Sequence, residues 1–96
     1  MTAKPECYIT VRATSQSGYV AVQDVPPEVL TPILEKATAA TAQWATVRGN
    51  TVSVRKPSGA NIGGGALREK LAWMVADIKA DVKTALTTAG FKVRPG

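Results

Sequence analysis

Histidine is absent from the 96 residues, and there is a single cysteine. The first absence removes the usual general base at neutral pH and the commonest metal ligand. The second excludes an intramolecular disulfide. Together they leave no donor set for zinc, so neither a metal nor a cofactor is expected. Cys7 lies in an alternating apolar run and reads as a small buried hydrophobe. Aromatic residues are scarce too: Tyr8, Tyr19, Trp44, Trp73 and Phe91 are the whole set. The core must therefore be made mostly of Val, Ile, Leu and Ala. No apolar run approaches the ~20 residues of a membrane-spanning helix. With one cysteine and no leader-like segment, the expected location is cytoplasmic or virion-associated, with no membrane partner.

Catalytic groups are also missing. Serine and threonine are plentiful, but no base accompanies them. Asp77 and Asp81 fall one helical turn apart, yet Lys79 and Lys83 interleave with them. That is the pattern of a solvated helix face, not of a carboxylate dyad or metal clamp. Gly63-Gly64-Gly65 is followed by no Gly-Lys-Ser/Thr and does not match the dinucleotide fingerprint. The chain is expected not to be an enzyme.

What is present is a foldable, basic chain. The hydrophobic fraction is 45%, and 12 Lys/Arg against 7 Asp/Glu give a formal charge of +5. Length and composition fit one compact domain over 1–96, small enough to gain from self-association or docking. The charge favours an acidic partner, or simply keeps the chain in solution.

Residues 1–5 read as a short arm. Cys7, Ile9, Val11 and Ala13 alternate with Tyr8, Thr10 and Arg12, which predicts a half-buried strand. Residues 14–18 form a polar turn, and 19–23 a second strand with Val20 and Val22 inward. Asp24 is placed to cap a helix beginning at Pro26-Pro27. Helical spacing then covers about 27–43, with a bend or restart expected at Pro32, Thr31 serving as its N-cap. Trp44–Val47 fits either the end of that helix or a strand, and a second hairpin pairing 44–48 with 51–56 is preferred. A glycine-rich loop spans 56–65. Leu67, Leu71, Met74, Val75, Ile78, Val82, Ala85 and Leu86 then hold one face of a long helix over 66–89, with Gly90 as its C-terminal stop. Phe91-Lys92-Val93 offers a short final strand. The expected fold is α+β: a small antiparallel sheet of two hairpins, in β-β-α-β-β-α order, packed against two helices. There is also an internal echo. Tyr8-Ile-Thr-Val-Arg12 resembles Trp44-Ala-Thr-Val-Arg48, and Gly18-Tyr-Val-Ala-Val22 resembles Asn50-Thr-Val-Ser-Val54. A pseudo-twofold built from two β-β-α units would produce it, as would chance matching of Thr/Val-rich strands.

Two groups of residues are candidates for binding. Arg12, Arg48, Arg55, Lys56 and Arg68, with the backbone of Gly64 and Gly65 ahead of the long helix, could contact an anion or a nucleic acid. Tyr8, Thr10 and Arg12 share a strand face suited to stacking bases and neutralising phosphates, though an ordinary solvated sheet face has the same composition. Trp44 and Trp73 flank apolar stripes and are candidate interface anchors, core packing being the alternative.

In composition alone, this Ala- and Thr-rich, Cys- and His-poor chain resembles small virion and neck proteins of actinobacterial bacteriophages. The resemblance rests on no motif and transfers no residues. The small core, the small-residue helix over 37–43, the long helix and the missing catalytic groups favour a structural or protein-interaction module acting within an oligomer, and the resemblance implies a virion as one setting. The alternatives are a small basic nucleic-acid-binding protein and, less favoured, a phage-encoded inhibitor of a host protein.

Overall fold

The computed structural model describes residues 4–96. Along the chain run β1 (Glu6–Ala13), β2 (Ser17–Gln23), α1 (Pro27–Thr38), β3 (Ala45–Arg48), β4 (Thr51–Arg55), α2 (Gly64–Thr88) and β5 (Lys92–Pro95). The strands form one sheet in the order β3-β4-β2-β1-β5. The two expected hairpins, β1–β2 and β3–β4, join through an antiparallel β2–β4 seam. The final strand exists, but it runs parallel to β1, so the sheet is mixed rather than antiparallel.

Alternation decides which side of the sheet is covered. Cys7, Ile9, Val20, Val22, Ala45, Val52 and Val54 point to one side. There they join Leu30 and Leu34 of α1 and the stripe Leu67, Leu71, Met74, Val75, Ile78, Val82 and Leu86 of α2 in one core. Each fully buried Val or Leu side chain contributes about 1.5–3 kcal/mol. Burial also raises the pKa of the Cys7 thiol, with a smaller push from the Asp24 carboxylate, so the thiol stays protonated.

The internal echo agrees with the pairing. Val20 stands opposite Val52 at the seam, and Ile9–Val22 in the first hairpin corresponds to Ala45–Val54 in the second. A twofold through the Val20–Val52 pair exchanges Arg12 with Arg48 and Tyr19 with Thr51.

α2 follows its expectation closely. Its end is a Schellman motif: Gly90, at φ +97°, donates to Thr87 O at 3.1 Å, and Phe91 donates to Leu86 O at 3.0 Å. Gly18 has a different reason to be glycine. It faces α2, and a Cβ there would lie 2.6 Å from Val75 Cγ2 and 3.0 Å from the Arg12 carbonyl oxygen. Gly18→Ala should therefore lose about 1–3 kcal/mol by overpacking. Urea denaturation would show it as a lower midpoint at unchanged slope.

Several expectations need correction. α1 stops at Thr38 and passes through a 3-10 turn at Ala39–Thr41, instead of running to 43. The hydroxyls of Thr38 and Thr41 donate to Leu34 O and Thr38 O, a local bonding that competes with helix continuation. The preferred strand reading of Trp44–Val47 holds from Ala45 onward. No restart occurs at Pro32; it sits inside a continuous α1. The carbonyl that loses its partner is that of Glu28, and both residues are exposed, so water can replace the bond. Asp24 does not cap α1. It occupies a left-handed turn at φ +67°, and Pro26 is the N-cap with Pro27 first in the helix. Val11 and Ala13 share the inward parity but are exposed. β5 reaches only to Pro95, opposite Ile9, so the far half of β1 is an open sheet edge. Of the arm at 1–5, residues 1–3 lie outside the described residues, while Pro5 is held by a bond from Lys92 N to its carbonyl at 2.8 Å.

Candidate nucleic-acid interface

Both helices cover the same side of the sheet, and nothing among the described residues covers the other. The outward residues form rows set by the pairing registers. One row is Thr46–Ser53–Tyr19–Arg12, the next Arg48–Thr51–Ala21–Thr10. Arg55 stands opposite Ser17 beyond the first row, and Arg94 opposite Tyr8 at the other end. Antiparallel pairing brings directly opposed side chains to about 5 Å, so Tyr19 and Arg12 form a cross-strand couple.

Charge is divided between the two sides of the molecule. The helices carry Glu28, Glu35, Glu69, Asp77 and Asp81 alongside Lys36, Arg68, Lys70, Lys79 and Lys83, which cancel. The open sheet face carries Arg12, Arg48, Arg55, Arg94 and Lys92, with Glu6 the one carboxylate on that face of the strands. Glu6 accepts a bond from Arg94 at 3.0 Å, the one ion pair among the described residues. At half-exposed positions such a pair is worth about 0–1 kcal/mol, and it leaves the rest of the face positive. The excess charge of the chain is therefore concentrated on the sheet.

A second basic feature adjoins the face. A cleft of about 940 Å³ is lined by the turn Ser15–Ser17, by Arg55 and Lys56, and by Gly63–Gly65 and Arg68 at the start of α2. The Thr14 hydroxyl fixes the turn, accepting from Ser17 N at 3.0 Å and donating to Ser17 O at 3.0 Å. Lys56 Nζ donates to Ile62 O at 3.4 Å and tethers the loop. α2 has Gly63 as its N-cap, with no side-chain cap and no acid in its first turn, so its N-terminal dipole end is left uncompensated. Arg55 borders both this cleft and the shallow depression around Tyr19, Arg48 and Ser53.

No family model, curated protein or solved structure matches the chain. The reading of the site rests on its own geometry.

The structure brings Arg55, Lys56, Gly64, Gly65 and Arg68 together at the cleft, and Arg12, Arg48 and Arg55 together on the face. Neither tryptophan lines the cleft or the depression, although the Trp44 carbonyl accepts from Arg55 N at 2.8 Å. Trp44 is half-buried against the core, with Lys70 Nζ 5.0 Å from its ring centroid. Trp73 is 65% exposed on α2. Sequence reasoning missed Tyr19 and its couple with Arg12. The outward parity of Tyr19 was readable from Val20 and Val22, but its neighbour depends on the register of the 14–16 turn. Among the described residues there is no cluster of three or more His, Cys, Asp or Glu placed to hold a metal ion, and no helix long and apolar enough to cross a membrane.

Proposed function

We propose that the protein is a nucleic-acid-binding module that acts without catalysis, and that its working surface is the open face of the sheet. The observation that carries this reading is the charge division: the helical side is balanced, while the sheet side carries Arg12, Arg48, Arg55, Lys92 and Arg94 against Glu6 alone, on the face that also holds Tyr8 and Tyr19. Arginine neutralises and orients phosphates, and threonine and serine hydroxyls between the arginines add hydrogen bonds to sugar and phosphate oxygens. The cleft at Arg55, Lys56 and Arg68 extends the same positive surface around one end of the sheet.

Fluorescence anisotropy with labelled DNA and RNA oligonucleotides tests the reading. Affinity should fall steeply between about 50 and 200 mM salt, as counterion release requires. Failure to bind either polymer at about 50 mM salt refutes it.

A second reading, a structural module of a larger assembly such as a virion, has separate support. The outer edge of β3 is unpaired within the sheet, and Trp73 stands out on the balanced helical side. Under this reading, light scattering gives a defined oligomer or a stable complex, indifferent to salt in that range.

A further inference from the structure

We infer that the sheet face recognises a single strand in preference to a duplex, by stacking bases on Tyr8 and Tyr19. The inference rests on the nucleic-acid reading and narrows its ligand.

Each tyrosine has an arginine directly across from it on the next strand: Tyr19 opposite Arg12, and Tyr8 opposite Arg94. The two couples are separated along the strands by the row containing Thr10 and Ala21. With ~3.3 Å per residue and ~4.8 Å between strands, Tyr8 and Tyr19 are about 14 Å apart. One short strand of about four nucleotides can span that distance. Ala21 adds only a methyl group between the couples, so no large side chain separates them.

The chemistry follows from what the face offers. Both tyrosines are half-buried, which restrains their rings without covering them. An aromatic ring held on a flat sheet binds any unstacked base, because every base has a π-face. Beside Tyr19, the Arg12 guanidinium neutralises the phosphate next to that base and can stack as well; beside Tyr8, the Arg94 guanidinium is already paired with Glu6 and contributes its flat face for stacking. A duplex keeps its bases paired and stacked inside, so it would meet only the arginines. The described structure presents no element to a groove from this side: both helices lie behind the sheet, and β1, β2 and β4 form a broad surface rather than a two-stranded ribbon.

The experiment compares a single-stranded oligonucleotide of about 12 residues, as DNA and as RNA, with the duplex of the same length at about 50 mM salt. Wild type should prefer the single strand. Tyr8→Thr and Tyr19→Thr retain strand propensity and remove no charge. Each should weaken single-strand binding by about fivefold to a hundredfold, with duplex binding and the salt slope unchanged. Circular dichroism confirms that the variants fold. A readout that needs no variant is photocrosslinking of wild type to an oligonucleotide carrying 5-iodouracil, which should label Tyr8 or Tyr19. Equal binding of duplex and single strand, with tyrosine variants like wild type or crosslinks confined to the helical side, overturns the inference and leaves nucleic-acid binding standing. Absence of binding to any of the three overturns both.

Discussion

Replacing Arg12, Arg48 and Arg55 together by glutamine should reduce single-strand affinity roughly 100-fold at about 0.1 M salt. The magnitude comes from counterion release. Each phosphate neutralised on a single strand adds about 0.7 to the slope of log affinity against log salt, so three arginines account for about 2. Measured from a ~1 M reference, a slope of ~2 is a factor of about 100 at ~0.1 M. The three residues come from three different strands and meet on one face only because of the sheet order. The matching control is Lys36→Gln, Lys79→Gln and Lys83→Gln on the helices. It removes the same formal charge from the balanced side. If general positive charge were responsible, both triple variants would lose affinity equally. If the sheet face is responsible, only the arginine variant changes slope. Salt titrations by anisotropy on both proteins decide between these outcomes.

The second large effect concerns stability. Leu71 is fully buried in the middle of α2, within the core that joins both helices to the sheet. Leu71→Ala removes apolar contacts and leaves a cavity that a β-sheet floor cannot easily close, at a cost of about 2–5 kcal/mol. A domain of this length has a total stability of about 5–14 kcal/mol, so one substitution removes a large share. At ~4–8 °C per kcal/mol, the melting temperature should fall by about 8–40 °C. The neighbouring Ala72 is exposed, and Ala72→Lys should change stability by less than about 0.5 kcal/mol. Thermal and urea unfolding of the two variants test the assignment of the buried face. Similar losses at both positions would mean that α2 packs by a different stripe.

That stripe was legible in the sequence because α2 is long and its period is repeated many times. The hairpins were legible for a similar reason: alternation reports parity locally, and Arg48-Gly49-Asn50 supplies the turn between β3 and β4. Parity alone, however, does not determine neighbours. The row that places Tyr19 between Ser53 and Arg12 depends on the β2–β4 seam, which joins strands from different hairpins. The parallel direction of β5 depends on how α2 crosses the sheet, and four residues of strand carry no mark of it. The end of α1 was misread for the opposite reason. Ala and Thr between 37 and 43 suit a helix by size, but the threonine hydroxyls bond back to the preceding turn and the chain tightens into a 3-10 turn. The expected bend or restart at Pro32 follows from its intrinsic cost of about 3 kcal/mol inside a helix. Burial of Leu30 and Leu34 on either side of it outweighs that cost. At the site, the arginines and the glycine loop could be named in advance, and their convergence on one side could not.

The parallel pairing of β5 with β1 also gives the fold an order in time. Each hairpin closes over a short loop, whereas β5 comes from the far end of the chain and must wait for α2 to cross the sheet, a slow kind of closure. Until it arrives, the whole of β1 is a bare edge, with Cys7 and Ile9 uncovered beside it. That interval is when the chain is most open to pairing with another copy of itself. Once docked, β5 replaces the Glu6–Ile9 half of that edge with one carrying Lys92, Arg94 and Pro95, residues that discourage further strand addition. The last strand to join thus closes the Glu6–Ile9 half of β1, and the half beyond Ile9 keeps its open edge.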